Sequence, residues 1–240
     1  MDMEKLCDKL VEWLKNYVKN AGASGAVFGM SGGVDSSVVS VLCKKAFGDN
    51  VLGLIMPCHS DKNDELDAKL VAEKFDIKYK VVTLDSVYDE FLKVVDETED
   101  KLVKANIKPR LRMTTLYYYA GLNNYLVVGA ENKSELVVGY FTKHGDSGAD
   151  LMPIANLVKS QVRMLASYLG IPQKIIDKAP SAGLWSGQTD ESEMGITYEE
   201  LDNYILTGKA DPKIKERIEL LNKRSEHKRS LAKKPEFILE

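Results

Sequence analysis

Apolar residues recur along this chain with two different spacings. Continuous apolar runs of strand length lie at residues 25–30, 50–57, 77–84 and 125–130. Between them, apolar residues recur every three or four positions, as they do in a helix, at residues 36–47, 64–75 and 85–95. Because buried strands that alternate with helices are typical of sheets covered on both faces, we predict a doubly wound α/β fold with a mostly parallel sheet and helices on both faces.

Helical patterns also mark both ends of the chain. One face of an amphipathic helix at the N-terminus carries Leu6, Leu10, Leu14 and Tyr17. In the last third of the chain, helix-start signals occur at Asn156, at Thr197 with Glu200, and at Asp211 with Pro212. Residues 179–195 show no periodicity, and we predict a long loop there. We find no repeat and no linker, so we expect one domain over residues 1–240.

Composition and charge exclude several classes of protein. The chain has 240 residues, of which 44% are hydrophobic and 29% charged. Disordered and collagen-like classes are therefore excluded, because enough apolar surface is present to offset the entropy of the chain. The formal net charge of −3 argues against a broad basic face for nucleic acid, so we expect no nucleic-acid partner.

The cysteines and the terminal segment indicate an ordinary cytoplasmic protein. Cys7, Cys43 and Cys58 are odd in number and show no C-x-x-C spacing, which argues against a zinc site or a disulfide framework. The N-terminal helix lacks the continuous apolar core of a signal peptide. No later stretch approaches the length that crosses a membrane. We therefore predict a cytoplasmic location and no membrane partner.

A glycine-rich segment follows the first strand run and precedes the first sheet helix. Residues 29–37 read G-M-S-G-G-V-D-S-S, and Gly32 with Gly33 lets the backbone turn tightly and bring its N–H groups close to a ligand. The start of the helix adds partial positive charge, and the serine hydroxyls of residues 31, 36 and 37 add donors. This pattern indicates a phosphate site, in which Asp35 holds Mg²⁺ against phosphate oxygens. The alternative is a strand-to-helix turn in which Asp35 is only a helix cap.

This segment differs from the two commonest phosphate motifs. The chain contains neither G-x-x-x-x-G-K-[ST] nor G-x-G-x-x-G, so neither the ordinary NTPase loop nor a Rossmann cofactor site is supported. The run S-G-G-V-D-S-S resembles the pyrophosphate loop of the N-type ATP pyrophosphatases. In that superfamily ATP is split to AMP and pyrophosphate while a carbonyl oxygen is adenylylated. The loop alone does not choose among the members.

A second, ordered series of motifs narrows the resemblance. It comprises E-N-K-S-E at 131–135, G-Y-F-T-K-H-G-D at 139–146, A-D-L-M-P-I at 149–154, Lys159, A-P-S-A at 179–182 and Q-T-D-E at 188–191. Along nearly the whole chain this series resembles the ammonia-dependent NAD synthetase family. The resemblance implies a fold like that of the adenine nucleotide alpha hydrolases, and a homodimer whose dinucleotide site lies at the subunit interface, near residues 110–119.

The resemblance also implies roles for particular residues. Asp35 and Glu135 would ligate Mg²⁺, and Lys159 would be catalytic. ATP would be bound by Gly29, Met30, Ser31, Gly32, Gly33, Val34, Asp35, Ser36, Ala130, Lys159 and Ser181. Deamido-NAD would be bound by Arg110, Lys143, Asp150, His227 and Lys228.

Two positions depart from the family, and several residues have ordinary alternatives. Ala130 stands where relatives commonly have Thr, so one hydroxyl contact to ATP is missing. The residue that matches Ser181 is often Thr, and serine keeps the hydroxyl. Without the family, Lys159 could equally be a solvated surface lysine and Glu135 a helix-start carboxylate. Arg110 and Arg112 could be two solvated arginines beside a helix start.

The reaction implied by the family is the amidation of deamido-NAD. The nicotinate carboxylate attacks the α-phosphorus of ATP, and ammonia then displaces AMP from the NAD-adenylate. We expect ammonia as the nitrogen donor because 240 residues leave no room for a glutaminase domain. Two alternatives stay open: another N-type ATP pyrophosphatase acting on a different carboxylate or carbonyl, and a non-catalytic ATP-binding module.

Overall fold

The fold is built on a parallel sheet. The computed structural model describes residues 2–235 apart from Ala182, Leu184, Ser186 and Gly187. Within these residues the sheet has the strand order β3–β2–β1–β4, with β1 at Gly25–Gly29, β2 at Val51–Ile55, β3 at Tyr79–Val81 and β4 at Tyr125–Val128. All pairs are parallel, and Val27 of β1 lies opposite Val127 of β4. Each predicted strand run contains one strand, although β3, at the sheet edge, is much shorter than its run.

Twelve α-helices surround the sheet in the described part of the chain. They are α1 (Met3–Asn20), α2 (Val34–Phe47), α3 (Lys62–Lys74), α4 (Asp85–Val94), α5 (Lys101–Ala105), α6 (Ile107–Asn123), α7 (Lys133–Val138), α8 (Lys159–Tyr168), α9 (Gln173–Ile176), α10 (Asp190–Met194), α11 (Tyr198–Thr207) and α12 (Pro212–Arg224). A short 3₁₀ helix follows at Glu226–Lys228. No helix among the described residues is long and apolar enough to cross a membrane.

Alternate residues of β1, β2 and β4 enter different cores. Ala26 and Phe28 of β1 pack in a core with α1, α2, α3, α8 and α9, whereas Val27 packs in a second core with α4 and α6. Phe28 and Val27 are fully buried. Burial of one such side chain contributes roughly 1.5–3 kcal/mol relative to leaving it in water. Helices therefore cover both faces of a parallel sheet, which confirms the predicted fold class.

The helix-start predictions have mixed outcomes. The capping box of Thr197 and Glu200 is present at α11, and Asp211 caps α12. The prediction for Asn156 is wrong, because α8 begins at Lys159 and Val158 occupies its N-cap position. Side chains of α7 and α11 accept from the N–H groups of Lys159 and Ser160, and Gln161 of α8 itself accepts from that of Val158, so the helix needs no cap at residue 156.

The segment at residues 179–195 is not one uninterrupted loop. Helix α10 lies within it, and its N-cap, Thr189, accepts a hydrogen bond from the backbone N–H of Ser192. The helix has five residues, which is too short for a 3.6-residue period to appear in the sequence. The prediction of a loop is therefore wrong for residues 190–194.

The turn between β1 and α2 requires glycine at one position. Gly32 has a φ of +79°, and a Cβ atom there would lie 2.3 Å from the backbone oxygen of Asp64. A larger residue would therefore displace the turn from α3. Because β1 and β4 are neighbours and parallel, the turn after β1 and the residues after β4 meet at one edge of the sheet.

Candidate active site

A cavity of about 790 Å³ opens at the carboxyl ends of the strands. Its lining includes Met30 after β1, Met56 after β2, and Gly129 with Ala130 after β4. The volume lies in the range of about 300–1,000 Å³ that small-molecule sites occupy. Parallel α/β sheets bind their ligands at this edge, so the cavity is the candidate site.

At one end of the cavity, a buried lysine lies between two carboxylates. Lys159 Nζ is 2.5 Å from Asp35 Oδ2 and 3.1 Å from Glu135 Oε1. Lys159 is only 3% exposed, so the alternative of a solvated surface lysine is wrong. Burial alone would lower the pKa of Lys159, but the two carboxylates outweigh it and hold this pKa above its ordinary value.

Glu135 uses its two carboxylate oxygens differently. Oε2 accepts a hydrogen bond from the backbone N–H of Asn132 at 3.2 Å, and Asn132 Oδ1 accepts one from the N–H of Glu135 at 3.1 Å. This capping box starts α7 and leaves Oε1 facing Lys159. Burial raises the pKa of Glu135 to about 7, with Lys159 opposing the shift and Asp35 adding to it. The helix-start role therefore occupies one oxygen and leaves the other for the cluster.

Serine hydroxyls close the glycine-rich turn on itself. Ser31 Oγ and Ser36 Oγ lie 2.9 Å apart, and the hydroxyl of Ser37 donates to the carbonyl of Gly33 at 2.7 Å. Ser37 is buried and is absent from the described lining of the cavity, so its hydroxyl holds the turn, and a contact from it to a ligand stays a prediction. Gly29, Met30, Ser31, Gly33, Val34, Asp35 and Ser36 line the cavity, as do Ala130, Lys159 and Ser181. Apart from Gly32, the residues predicted for ATP therefore surround one space.

Comparison with known proteins decides the family. A family model described as NAD synthase matches residues 6–237 of this chain. The chain belongs to the NAD synthase family. An NH(3)-dependent NAD(+) synthetase of Finegoldia magna is 52% identical over 237 residues, which are 99% of this chain and 98% of that relative.

Two solved structures share the fold of this NAD synthase family member over its length. An NMN synthetase from Francisella tularensis has a TM-score of 0.95 and 42% sequence identity, and the match covers 99% of this chain and 100% of that one. An NH3-dependent NAD synthetase from Campylobacter jejuni has a TM-score of 0.82 and 33% identity, with 100% of both chains covered.

The residues that the family resemblance assigned to deamido-NAD are divided between two places. Lys228 lines the cavity, and its Nζ donates to the carbonyls of Gly139 and Phe141 at 2.9 and 2.8 Å. Lys143 Nζ donates to the carbonyl of His227 at 2.5 Å, while a guanidinium nitrogen of Arg110 donates to the carbonyl of Lys143 at 3.4 Å.

Arg110, Lys143 and His227 are therefore connected through backbone oxygens rather than through charges. Together with Asp150 they lie outside the described lining of the cavity. Asp150 accepts hydrogen bonds from the Tyr117 hydroxyl at 3.0 Å and the backbone N–H of Val127 at 2.8 Å. The structure thus brings the ATP and metal candidates together and leaves four of the dinucleotide candidates on a neighbouring surface.

Arg112, rather than Arg110, faces the cavity. Its guanidinium donates to the carbonyl of Met56 at 3.0 Å and to Ser60 Oγ at 3.1 Å. The alternative of two solvated arginines is therefore wrong for Arg112. A two-residue separation on α6 turns the two side chains to different sides of the helix, a signal that the sequence already contained.

Two acidic residues of the cavity were missed by the sequence reasoning. Glu131 is 6% exposed, and its Oε2 has no hydrogen-bond partner within the part of the chain that the structure describes. Burial raises the pKa of Glu131 well above its usual range, and Asp146 adds to this shift. Asp146 lines the cavity with much of its surface exposed, and partial desolvation by the surrounding protein raises its pKa. Both residues lie in motifs that carried the family resemblance, but neither was singled out.

Tyr198 connects the cluster of Asp35, Glu135 and Lys159 to α10. Its hydroxyl lies 3.2 Å from Glu135 Oε1 and 2.9 Å from Asp190 Oδ2, and Lys159 Nζ lies 4.9 Å from the centre of its ring. A phenol has one proton and can donate to only one of these carboxylates at a time. Tyr198 was expected only as the first residue of a helix, because its partners are distant in sequence.

The cluster suits a magnesium ion bound together with a nucleotide. Asp35 Oδ2 and Glu135 Oε1 converge on the same cation, the Lys159 ammonium. Among the described residues no group of three or more His, Cys, Asp or Glu side chains is arranged as a complete metal site. Mg²⁺ is commonly held by one or two carboxylates, with phosphate oxygens and water as its other ligands. The two carboxylates therefore fit an ion that arrives with ATP.

Proposed function

We propose that this chain catalyses the ATP-dependent amidation of deamido-NAD by ammonia, with NAD, AMP and pyrophosphate as products. The observation that carries the proposal is the buried Lys159 between Asp35 and Glu135, at the glycine-rich turn of a member of the NAD synthase family. The near-full-length match to an NH(3)-dependent NAD(+) synthetase supports ammonia as the nitrogen donor. The enzyme is then a ligase that forms a carbon–nitrogen bond.

Lys159 is the residue that we assign to the adenylylation step. A nicotinate oxygen attacks the α-phosphorus of ATP, the bond to pyrophosphate breaks, and negative charge develops on the phosphate oxygens. An ammonium group already fixed by two carboxylates can neutralise this charge with little reorganisation. Since its pKa is held above the ordinary value, Lys159 is fully charged at neutral pH.

Asp35 and Glu135 would hold Mg²⁺ beside the residues of the glycine-rich turn. Bound there, the ion would neutralise charge on the phosphate oxygens of ATP. Ala130 and Ser181 line the same space, where we assign them to ATP contacts. In the second step, the nitrogen of ammonia attacks the carbonyl carbon of the NAD-adenylate, and the bond to AMP breaks.

The dinucleotide site and the homodimer form one linked proposal. Helix α6 carries Arg110 near its start and leaves Tyr118 and Leu122 each 63% exposed. An exposed apolar face next to a basic group suits a second subunit that completes the deamido-NAD site with Arg110, Lys143, Asp150, His227 and Lys228. Light scattering tests the assembly: a dimer is expected, and a monomer at every concentration contradicts it.

Amidation of nicotinate mononucleotide is a second candidate function. A chain named NMN synthetase matches this one with a TM-score of 0.95 and 42% identity. The same chemistry on a mononucleotide would need fewer contacts on the surface around Arg110. Comparing kcat/KM for deamido-NAD and nicotinate mononucleotide separates the two functions, and we expect deamido-NAD to be the better substrate.

An endpoint assay tests the proposed function. Pure protein is incubated with deamido-NAD, Mg-ATP and ammonium chloride, and the NAD and AMP that form are quantified. Equal amounts of both are expected, with glutamine a much poorer donor than ammonium. ATP binding without either product, unchanged in a Glu135→Ala variant, would instead indicate a non-catalytic binding module. A single domain over residues 1–240 and a cytoplasmic location both stay predictions.

A further inference from the structure

Helix α8, which carries Lys159, has no side-chain acceptor at its N-cap, although Gln161 Oε1 of the same helix accepts from the N–H of Val158 at 3.1 Å. Its N-cap residue, Val158, has no side-chain oxygen, although the first N–H groups of a helix find no partners within that helix. The backbone N–H of Lys159 donates to Ser134 Oγ at 3.1 Å, and that of Ser160 donates to Asp202 Oδ2 at 2.7 Å. Side chains of α7 and α11 therefore fix the start of α8.

Ser134 and Asp202 are joined to each other. The hydroxyl of Ser134 donates to Asp202 Oδ1 at 2.5 Å. This uses the single proton of the hydroxyl and leaves its lone pairs for the N–H of Lys159. Ser134 is fully buried and Asp202 is 4% exposed. The negative charge of Asp202 also lies at the positive end of the α8 dipole, where it is stabilised.

The Ser134–Asp202 pair joins α7 and α8, the helices that carry Glu135 and Lys159. Ser134 directly precedes Glu135 in α7, and Ser160 directly follows Lys159 in α8. The side chains of Glu135 and Lys159 themselves meet, with Oε1 and Nζ 3.1 Å apart. A loss of about 1 Å in positioning at such a site can cost about a hundredfold in rate. The spacing of α7 and α8 at this point therefore bears directly on the cluster.

We propose that Asp202, acting through Ser134, is a positioning residue that holds Lys159 against Asp35 and Glu135. The proposal rests on the proposed function of Lys159 in the reaction with ATP. Asp202 lines a second, smaller cavity of about 260 Å³ together with Asn203 and with Lys159, which also lines the large cavity. Asp202 is absent from the described lining of the large cavity, so its effect on the reaction is indirect.

The test compares Asp202→Ala and Asp202→Asn with the matched control Asn203→Ala. Asn203 neighbours Asp202 in α11 and lines the same small cavity, and its side-chain amide donates to the carbonyl of Lys209 at 2.7 Å. In Asp202→Ala we expect kcat to fall by about 10- to 100-fold, with the KM values for ATP and deamido-NAD little changed. Asp202→Asn should lose less, because its amide oxygen replaces one of the two acceptors. Asn203→Ala should match the unmodified protein.

Chemical rescue supplies a readout that loss of folded protein alone would not give. Removing the carboxylate enlarges a cavity that small solutes can enter, so sodium formate should restore part of kcat in Asp202→Ala. Sodium chloride at the same ionic strength should not. The unmodified enzyme is assayed alongside, because its production of NAD tests the proposed function separately from the role of Asp202.

Two results would overturn the proposal. One is a folded Asp202→Ala variant whose kcat stays within about twofold of the unmodified enzyme. The other is a loss of kcat that neither the Asn side chain nor formate reduces. If Asp202→Ala does not fold, Ser134→Ala serves instead, because it removes the link and keeps the buried charge. Its kcat should then fall while its KM for ATP holds, and an unchanged kcat would contradict the proposal.

Discussion

Two groups of charged residues in this molecule are built in opposite ways. In the phosphate-side cluster, Asp35, Glu135 and Lys159 are brought together from three helices and contact one another through their charges. In the surface cluster, Arg110 and Lys143 donate to backbone carbonyls, and Arg110 and His227 are exposed. The first group has a fixed geometry within one chain. The second leaves charges free to meet an anion.

The difference indicates where precision is needed. Chemistry at the α-phosphorus depends on groups that are already oriented when the substrate arrives, whereas a dinucleotide can be held by charges that adapt to it. Substitutions in the phosphate-side cluster should therefore change kcat, and substitutions in the surface cluster should change KM.

Lys159→Ala should have the largest effect. Removing the ammonium leaves Asp35 and Glu135 without their shared cation. It also removes the positive charge that would neutralise the phosphate oxygens of ATP, so we expect kcat to fall by about 10²–10³-fold. Steady-state formation of NAD and AMP measures the loss. Lys209→Ala, at an exposed lysine, is the matched control. A Lys159→Ala enzyme within tenfold of the control would remove Lys159 from the reaction.

The pH dependence of the Mg²⁺ requirement should be the next largest effect. Because the pKa of Glu135 is raised to about 7, its carboxylate is increasingly protonated as the pH falls below that value. A protonated carboxyl is a poor ligand, so the apparent affinity for Mg²⁺ should weaken by up to about tenfold per pH unit below 7 and level off above it.

Activity titrated with MgCl₂ between pH 5.5 and pH 8.5 measures this dependence, at a saturating concentration of ATP. Glu135→Gln, which cannot titrate, is the control and should show a weak but nearly pH-independent Mg²⁺ requirement. An unmodified enzyme with equal Mg²⁺ affinity at pH 6 and pH 8 would show that Glu135 does not hold the ion.

Arg110→Ala should act on binding alone. We expect the KM for deamido-NAD to rise about tenfold, as for loss of one hydrogen bond to a charged group, while kcat holds. Substrate-saturation curves measure both constants, and Arg224→Ala, at an exposed arginine of α12, controls for the loss of charge. A fall in kcat as large as that of Lys159→Ala would erase the contrast between the two clusters.

Ala130→Thr should give the smallest effect and improve the enzyme. The added hydroxyl would reach the ATP side of the cavity and lower the KM for ATP by about threefold, since a net hydrogen bond contributes about 0.5–1.5 kcal/mol. Ala130→Val has the same shape without the hydroxyl and is the control. Equal KM values in the two variants would show that residue 130 makes no polar contact with ATP.

The sheet and the phosphate turn could be predicted because their signals are local. Strands β1, β2 and β4 are continuous apolar runs, and the turn at Gly32 is specified by a motif of consecutive residues. The start of α8 could not be predicted from Asn156, since its partner Asp202 lies on another helix. The hydrogen bond from Ser134 to Asp202 spans 68 positions in the sequence. The periodicity and capping patterns of a single sequence cannot show which distant residues are in contact.

The candidate site divides in the same way. Asp35 and Glu135 were found because each follows a strand at the edge where ligands gather. The burial of Lys159 needed the structure, since without the resemblance a charged residue at a helix start is as readily solvated. Glu131 and Tyr198 were missed because their importance depends on neighbours that only the folded chain brings near.

The most direct test of adenylylation at the phosphate-side cluster is the fate of one oxygen atom. Deamido-NAD labelled with ¹⁸O in its nicotinate carboxylate is converted with Mg-ATP and ammonium, and the AMP is examined by mass spectrometry. If the carboxylate attacks the α-phosphorus, each AMP carries one ¹⁸O from a fully labelled carboxylate. AMP without the label, formed together with NAD, would contradict the account.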